Sequence, residues 1–504
     1  MSKFFETKIN KWDGGIVNDP RDPQENVCRV VSNFDILTNP YKMIPYRDSE
    51  DGDSGASTSK KQNFCIALRS GTTYQLFALG VVSGTGRVEI LMKALTTGAS
   101  TDLDDNGWST PANNASASGA ANFNLFVYYK KTGLIYGAKA GTTIWAFDPT
   151  SVAVFDDAQR SITYTNIAQG LVHSKDDILY IPYDNKIAKN NNGSWTDTAL
   201  TLPSHLYITS ICEYGNYLAI ACSPLDNVGK SVVYLWDRDA SLTTLSESVD
   251  WGDGSIKILE EIDGFLVGIS IIGGTSTTFN DRIVFRYLSG NLAIKFKEVT
   301  GTTSTSLLLA KQKINNRLYF MMKISLNGAV RAGVWSIGKS SSGFVLAEER
   351  THINDTVLTN GVLSNFFIVG DFTFISYVGE DSNYALSKTN DASSYTATSI
   401  RETNIFNGGD ISAKKRLIGV TVMTEALPTA GQVVLKYKKD EDTSYTTIFT
   451  EATDNSISHS AVNIESSGAF LPEYKEIQFR IESTGGAVIT GLKFKYELLD
   501  KDFY

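Results

Sequence analysis

The sequence is poor in cysteine, histidine and proline. It has 504 residues but Cys 4, His 4 and Pro 11. The cysteines form no CxxC pair and are too few for a disulfide scaffold in so long a chain. They are Cys28, Cys65, Cys212 and Cys222. A hairpin with its turn at 214–216 would place Ile208 or a neighbour opposite Cys222, so we predict four buried apolar thiols and no disulfide.

Long apolar segments and an excess of positive charge are also missing. A charge at Lys3 precedes any apolar segment, which is unlike a signal peptide. Apolar runs such as residues 265–272 fall short of the roughly 20 residues that a membrane helix needs, so we expect a soluble protein. With 46 Lys and Arg against 55 Asp and Glu, the net charge is −9. This charge gives no electrostatic reason to expect binding to nucleic acid or to an anionic membrane.

The dominant pattern is an alternation of period two. Short β-branched and aromatic runs are separated by Gly, Asn, Asp, Ser and Thr, with almost no apolar pattern of period 3.6. The runs recur in units at residues 62–112, 121–165, 170–203, 204–250, 254–301, 305–351 and 356–406. A unit of roughly 49 residues is typical of a four-stranded propeller blade. The sequence therefore predicts an all-β protein with a β-propeller of about seven blades. A run of β-sandwich domains is the alternative.

The pattern changes at both ends of this repeat. Residues 1–60 are rich in turn-forming residues and prolines, which predicts an extended arm laid on the fold. Residues 61–408 form the predicted propeller. From residue 409 to 504 the alternation is cleaner, and six or so strands in about 90 residues indicate a C-terminal β-sandwich.

One motif matches a phosphate loop. The letters GVWSIGKS at residues 333–340 fit the pattern GxxxxGK[ST]. A phosphate loop must be followed by a helix whose N-terminus faces the anion. Trp335 and Ile337 are instead typical of a strand, and Ser341, Ser342 and Gly343 follow where a helix should begin. We interpret the motif as a blade hairpin.

A second motif matches the start of a calcium loop. Asp102, Asp104 and Asn106 occupy alternate ligand positions, and Gly107 provides the sharp turn. Position twelve is Asn113 instead of the bidentate glutamate, so the predicted calcium site is incomplete unless another loop supplies a carboxylate. An acidic surface turn without calcium is the alternative interpretation.

Residues that would carry catalysis are scattered along the chain. No histidine pair has metal-ligand spacing and no GxSxG elbow accompanies one. The histidines are His173, His205, His352 and His459. Doublets such as Glu260-Glu261 point to opposite faces of a strand, although carboxylates from different blades could still form a glycosidase site. We expect most tryptophans to lock blades together, not to stack on sugars.

Both ends of the chain resemble structural proteins of tailed bacteriophages. The N-terminal match is KWDGGIVNDPR at 11–21 and VSNFDI at 31–36, which resembles a GGI…DxR turn before an N-F/I-D-I strand and a propeller-like body. The C-terminal match is KRLIGV at 415–420, VLKY at 434–437 and YKEIQFRI at 474–481, which is similar to the closing sandwich of phage tail proteins. No family active site comes with this resemblance.

The resemblance implies a non-enzymatic virion component of the tail or the head–tail connection, such as a nozzle, hub or tip protein. It implies a homo-oligomeric ring or trimer that binds other virion structural proteins, contacts passing DNA passively and is assembled in the host cytoplasm. No cofactor other than the candidate calcium is expected. The alternative function is a carbohydrate-binding or glycan-cleaving receptor-recognition protein of the tail, and a cellular propeller scaffold is a third possibility.

Overall fold

The computed structural model is built from β-strands throughout the residues that it describes. These residues are 4–16, 27–47, 49–51, 59–82, 88–100, 102–103, 107–112, 121–139, 141–151, 155–225, 229–239, 247–273, 281–301, 307–326, 329–340, 343–351, 362–378, 384–389, 395, 398–462 and 471–499. Among them, no helix has the length and apolar character to cross a membrane. The prediction of an all-β protein is confirmed.

Most strands belong to four-stranded sheets that follow one another along the chain. The N-terminal strands are β1 (Phe4–Ile9), β2 (Cys28–Ser32), β3 (Phe34–Asp35), β4 (Ile44–Pro45) and β5 (Ser49–Asp51). The first three sheets are β6 (Ser59–Ser70), β7 (Thr73–Val82), β8 (Val88–Ala94) and β9 (Ser109–Ala112); β10 (Ala121–Tyr129), β11 (Leu134–Lys139), β12 (Thr143–Phe147) and β13 (Phe155–Ser161); and β14 (Leu171–His173), β15 (Ile178–Tyr183), β16 (Lys186–Asn191) and β17 (Ser194–Thr201).

Four more sheets complete this series. They are β18 (Leu206–Tyr214), β19 (Tyr217–Pro224), β20 (Lys230–Trp236) and β21 (Glu247–Asp253); β22 (Ser255–Ile262), β23 (Phe265–Ile272), β24 (Arg282–Ser289) and β25 (Leu292–Thr300); β26 (Leu307–Ile314), β27 (Arg317–Leu326), β28 (Ala329–Ser340) and β29 (Gly343–Thr351); and β30 (Val362–Val369), β31 (Phe372–Val378) and β32 (Tyr384–Thr389), with β5 as fourth strand. An N-terminal strand therefore completes the last sheet of the series.

The chain divides into two compact units. One unit, here called the repeat unit, consists of residues 50–333 and 352–389. The other, here called the terminal unit, consists of residues 1–49, 334–351 and 390–504. Most of the predicted arm thus shares a unit with the predicted sandwich, and so do residues 334–351 and 390–408 of the predicted propeller.

In the repeat unit, the first strands of successive sheets lie side by side. β18 contacts β22, β22 contacts β26, and β26 contacts β30. β30 in turn contacts β6 of the first sheet, and β6 contacts β10. This return to the beginning makes the unit propeller-like, as predicted. The second strands carry much of the core, because residues 218–224 of β19 are all buried.

Side chains connect neighbouring first strands where no backbone ladder does. Gln312 of β26 donates its amide to the Ile368 carbonyl at 2.7 Å and accepts the Ile368 N–H at 2.7 Å, which copies a rung of a β-sheet. Gln169 makes the same pair of bonds to Phe126, at 2.9 and 3.2 Å. These bonds satisfy backbone groups that would otherwise be costly to bury.

The terminal unit contains two five-stranded sheets. Its remaining strands are β33 (Ser399–Phe406), β34 (Lys415–Thr424), β35 (Gln432–Lys439), β36 (Thr446–Glu451), β37 (Ser458–Val462), β38 (Glu473–Tyr474), β39 (Ile477–Thr484) and β40 (Ile489–Leu498). One sheet has the order β1-β40-β34-β37, with β38 also on β34, and the other has the order β2-β33-β39-β35-β36. The buried rings of Phe479 and Phe494 lie 5.0 Å apart between centroids and join the two sheets.

Residues of the predicted arm form part of this core. β1 pairs with β40, and β2 pairs with β33. Trp12 is fully buried, and the Arg401 guanidinium stacks over its ring at 4.8 Å and donates to its carbonyl at 3.1 Å. Burial lowers the pKa of Arg401. The cation–π contact partly offsets the cost of burying this charge.

Replacing Trp12 should destabilise the terminal unit strongly. Trp12→Ala leaves a large cavity and removes the ring from the Arg401 guanidinium, so we expect a loss of about 3–5 kcal/mol in the free energy of unfolding. Urea unfolding followed by tryptophan fluorescence measures this loss. Tyr41→Ala is the control, since Tyr41 is 58% exposed. An unchanged midpoint for Trp12→Ala would show that the N-terminal residues add nothing to this core.

The contribution of the Gln312–Ile368 hydrogen bonds between β26 and β30 to stability should also be measurable. Gln312→Met keeps the length of the side chain but leaves the Ile368 N–H and carbonyl without their partner, at a cost of about 1–3 kcal/mol. We expect a lower melting temperature in calorimetry. The exposed residue Lys313 gives a matched control as Lys313→Met, which we expect to cost less than about 1 kcal/mol.

Candidate functional site

A recess of about 510 Å³ lies where two neighbouring sheets of the repeat unit make their first turns. One turn joins β18 to β19 and the other joins β22 to β23. The recess is lined by Tyr214, Gly215, Asn216, Tyr217, Glu261 and Gly264. It therefore combines two aromatic rings, an amide and a carboxylate on two short turns.

The geometry of the β18–β19 hairpin explains why the side chains of Tyr214 and Tyr217 are adjacent. Tyr214 and Tyr217 are paired across the ladder, with Gly215 and Asn216 between them. Gly215 has φ +59°, and a positive φ at the first central residue is what a type II′ turn requires. Cross-strand pairs point to the same side of a hairpin, so both rings face one side. Tyr217 is 36% exposed. Within the described part of the chain, neither tyrosine hydroxyl has a hydrogen-bond partner.

The carboxylate in the recess is held by a lysine of the next sheet. Glu261 forms an ion pair with Lys313 of β26 and accepts the N–H of Gly264. Its neighbour Glu260 pairs separately with Lys311 at 2.9 Å. Lys311 also donates to the carbonyls of Leu259 at 2.5 Å and Ile211 at 2.9 Å. The two glutamates of the doublet thus have different partners, as expected of consecutive strand residues.

A polar cluster supports the Tyr214–Tyr217 turn. The Arg238 guanidinium donates to the Asn216 carbonyl at 2.6 Å and to the Asp176 carboxylate at 2.8 Å. It also lies 2.7 Å from Nε2 of the buried His173. Burial lowers the pKa of His173, and the nearby Arg238 charge lowers it further. A neutral His173 can therefore accept from the guanidinium.

Of the three predicted calcium ligands, only Asp102 lies among the described residues. Asp102 is buried, and its carboxylate accepts the N–H of Ala99 at 3.1 Å. The Lys93 ammonium donates to the carbonyls of Asp102 and Gly107, at 3.1 and 2.5 Å. Asp104 and Asn106 lie outside the described residues. Among those that are described, no cluster of three His, Cys, Asp or Glu side chains could hold a metal. Calcium binding by this loop stays a prediction, and it would have to compete with the Lys93 ammonium.

The other sequence predictions can be compared with the fold. The GVWSIGKS motif lies inside strand β28, with Trp335 and Ile337 buried, which confirms that it is a strand and not a phosphate loop. The four cysteines are free and buried, and Ile208 does face Cys222. Five tryptophans are fully buried, which confirms their packing role: Trp12, Trp145, Trp236, Trp251 and Trp335.

The recess itself is not apparent from the sequence. The turn at Tyr214 and the doublet at Glu260-Glu261 are both visible as patterns, but about 45 residues separate them. Their proximity depends on the contact between β18 and β22. Of the histidines, His173 adjoins the recess and His205 is exposed, whereas His459 lies in the terminal unit and His352 outside the described residues.

Comparison with known proteins gives structural likeness only. No protein-family model matches the sequence, and no curated protein is significantly similar to it. An exo-β-1,3-galactanase from Phanerochaete chrysosporium has 10% identity and a TM-score of 0.31, over 90% of this chain and 99% of that chain. A GH43 protein from Bacillus licheniformis has 10% identity and a TM-score of 0.27, over 90% and 100%. A puromycin-hydrolyzing peptidase from Mycobacterium tuberculosis has 9% identity and a TM-score of 0.40, over 71% and 60%.

These comparisons correct the predicted function. The expected virion component without catalysis is contradicted, because the similar structures have enzyme names, among them a glycoside hydrolase and exo-β-1,3-galactanases. Because the TM-scores and identities are low, the chemistry of this chain has to be derived from its own recess.

Protonation of buried histidines should destabilise the fold below about pH 6.5. The pKa values of His173 and His459 are both lowered by burial, from an ordinary value of 6.5. The unfolded chain then binds more protons than the folded chain, so stability is complete above this pH and falls as the pH drops. We expect the urea midpoint to fall between about pH 7.5 and 5, and to fall less in His173→Gln. The exposed His205→Gln is the control. A wild-type urea midpoint that is constant over this pH range would contradict the destabilisation by protonated His173 and His459.

Proposed function

We propose that the protein binds a carbohydrate chain at the recess between the Tyr214–Tyr217 turn and Glu261, and that it acts on glycans. The carrying observation is the combination of two tyrosine rings with an amide and a carboxylate in one open hollow. A sugar ring has an apolar face of C–H groups and an edge of hydroxyls. Aromatic rings cover the first, and planar polar side chains bond to the second.

The recess offers these contacts with little reorganisation. The tyrosines are fixed by a two-residue turn, and their two hydroxyls are available to a ligand. Glu261 is held in place by Lys313 and by the Gly264 N–H before a ligand arrives. Groups fixed in advance lose little conformational entropy on binding.

Cleavage of the bound glycan would need a pair of carboxyl groups. Glycoside hydrolysis uses two such groups on either side of the scissile bond, at about 5–9.5 Å from each other. Glu261 is the carboxylate that lines the recess, where it pairs with the Lys313 ammonium. Glu213 is the neighbouring carboxylate on β18, and it accepts the N–H of Ser174 at 2.6 Å. Glu261 is the candidate carboxyl group of the recess, whereas Glu213 precedes Tyr214 on β18, points to the opposite face of the strand and does not line the recess.

We also infer that the repeat unit is a β-propeller with seven blades. The four-stranded sheets and the contact of β30 with β6 support a closed ring. The recess would then lie on the face of the propeller that carries the turns between first and second strands. This face is rigid, because side chains such as Gln312 and Lys311 tie the first strands together.

The resemblance of the chain ends to phage tail proteins, the virion partners, the oligomeric ring and the location in a tail stay predictions. If the protein is carried by a phage particle, we infer that the glycan belongs to the host surface. Mass spectrometry of purified particles tests the location.

Binding and cleavage should respond differently to two substitutions. On a glycan array, we expect Tyr217→Ala to weaken binding of the best ligand about tenfold, which corresponds to about 1.4 kcal/mol. Tyr74→Ala is the matched control, because Tyr74 is 37% exposed and Tyr217 is 36% exposed. In a reducing-sugar assay on host envelope, we expect Glu261→Gln to remove product formation while binding on the array persists.

Two results would contradict this proposal. One is an array and a reducing-sugar assay that are both flat for the wild-type protein. The other is a ligand whose affinity is the same in Tyr217→Ala as in the wild type, because this would locate the binding elsewhere.

A further inference from the structure

The Arg238 guanidinium lies behind the recess and contacts Asn216, a residue of the recess wall. It also contacts His173, at the end of β14, and Asp176, in the turn that follows β14. Arg238 itself follows β20. The Arg238 side chain is 12% exposed and that of Asp176 is 26% exposed. The cluster is therefore largely shielded from solvent, where hydrogen bonds to charged groups are strong.

Arg238 adopts a backbone conformation that needs support. Its φ is +71°, in the left-handed region that residues with a side chain rarely occupy. Such a conformation persists when the surrounding contacts determine it. Here the guanidinium has three partners, namely the Asp176 carboxylate, the His173 ring and the Asn216 carbonyl. The left-handed backbone and these three side-chain contacts belong to one arrangement.

Asn216 is held at two points. Its backbone carbonyl accepts from Arg238 at 2.6 Å, and its side-chain oxygen accepts from the Lys175 ammonium. Asn216 is also one of the two central residues of the turn that separates Tyr214 from Tyr217. A shift of this carbonyl would move both rings, since the turn has only two residues.

The His173 ring is the component of this cluster that changes its charge near neutral pH. Its Nε2 lies 2.7 Å from Arg238, so the imidazole must be neutral to accept the hydrogen bond. The charged groups that act on it are Arg238, Glu213 and Asp176. The backbone N–H of Lys175 lies 3.3 Å from its Nδ1, and the Tyr180 hydroxyl donates to the Asp176 carboxylate. Protonation would place two cations in contact, with the carboxylates of Glu213 and Asp176 as the nearby opposite charges.

We propose that Arg238 is a positioning residue for the recess, and that it holds the Tyr214–Tyr217 turn in place only while His173 is neutral. This inference rests on the proposed function as far as the ligand is concerned. Acidification that protonates His173 then loosens the turn and weakens glycan binding, because the guanidinium is repelled from its place on the Asn216 carbonyl. The saccharide would bind at neutral pH and dissociate in an acidic compartment.

Hydrogen exchange of the whole protein tests the positioning without any ligand. Mass spectrometry follows the peptide that contains residues 214–217 at about pH 7 and pH 5, with uptake corrected for the intrinsic exchange rates. We expect uptake in the wild type to rise at the lower pH. Arg238→Met should give the high uptake at both pH values, and His173→Gln should give an uptake that does not depend on pH. Arg282→Met is the control, because Arg282 pairs with Glu298 on β25, away from this turn.

A second readout uses the strongest ligand from the glycan array as the probe. We expect its Kd to rise about tenfold in Arg238→Met, and about tenfold on acidification of the wild type but not of His173→Gln. Arg238→Lys keeps the charge but not the planar fork, so it should restore only part of the affinity.

The outcomes separate the two proposals. Unchanged exchange of residues 214–217 in Arg238→Met would overturn the positioning role, and so would a pH dependence that persists in His173→Gln. If Arg238→Met does not fold, His173→Gln alone decides. If exchange changes as expected but no glycan binds to the wild type, then the positioning of the turn stands and the carbohydrate function fails.

Discussion

The arrangement of the repeat unit depends on how adjacent sheets are joined without a continuous backbone ladder. Several first strands contain a β-bulge, for example between Ile208 and Ser210 of β18 and between Leu363 and Asn365 of β30. Bulges add twist and leave backbone groups without ladder partners. Side chains supply what is missing, as Gln312 does for Ile368 and the Ser210 hydroxyl does for the N–H of Leu259. The shape of the recess depends on these side-chain bonds, because the recess lies between two sheets that are joined by them.

Local features of the fold could be predicted from the sequence. The short apolar runs predicted strands, and residues 218–224 of β19 form a buried one. The phosphate-loop letters GVWSIGKS were interpreted as part of a hairpin, and they lie in strand β28. Features that depend on pairing between residues far apart in the sequence could not be predicted. A bulge between Leu417 and Gly419 shifts the alternation of β34, so that Val420 and not Gly419 is on the buried side with Leu417. One extra residue in a strand exchanges its faces, and no periodicity reveals where this happens.

The same limit explains the incorrect functional prediction. The resemblance to phage tail proteins was carried by residues 11–36 and 415–481, and these belong to the terminal unit. The recess lies in the repeat unit, from which the resemblance took no residues. The lack of catalytic motifs was equally uninformative, because Glu261 gains its partner Lys313 only when β22 and β26 are neighbours. A short polar turn such as 214–217 carries no signature of the sheet that will face it.

The last sheet of the repeat unit takes its fourth strand from residues 49–51, which come from the other end of the unit. During synthesis, β5 leaves the ribosome long before β30, β31 and β32 exist. At ordinary elongation rates the delay is on the order of tens of seconds. During this time β5 has no partner strand, and each completed sheet exposes apolar side chains until the next sheet is made. Completion of this sheet is therefore a late event that links the first strand of the series to its last three, and polypeptides released before residue 389 have no way to reach it.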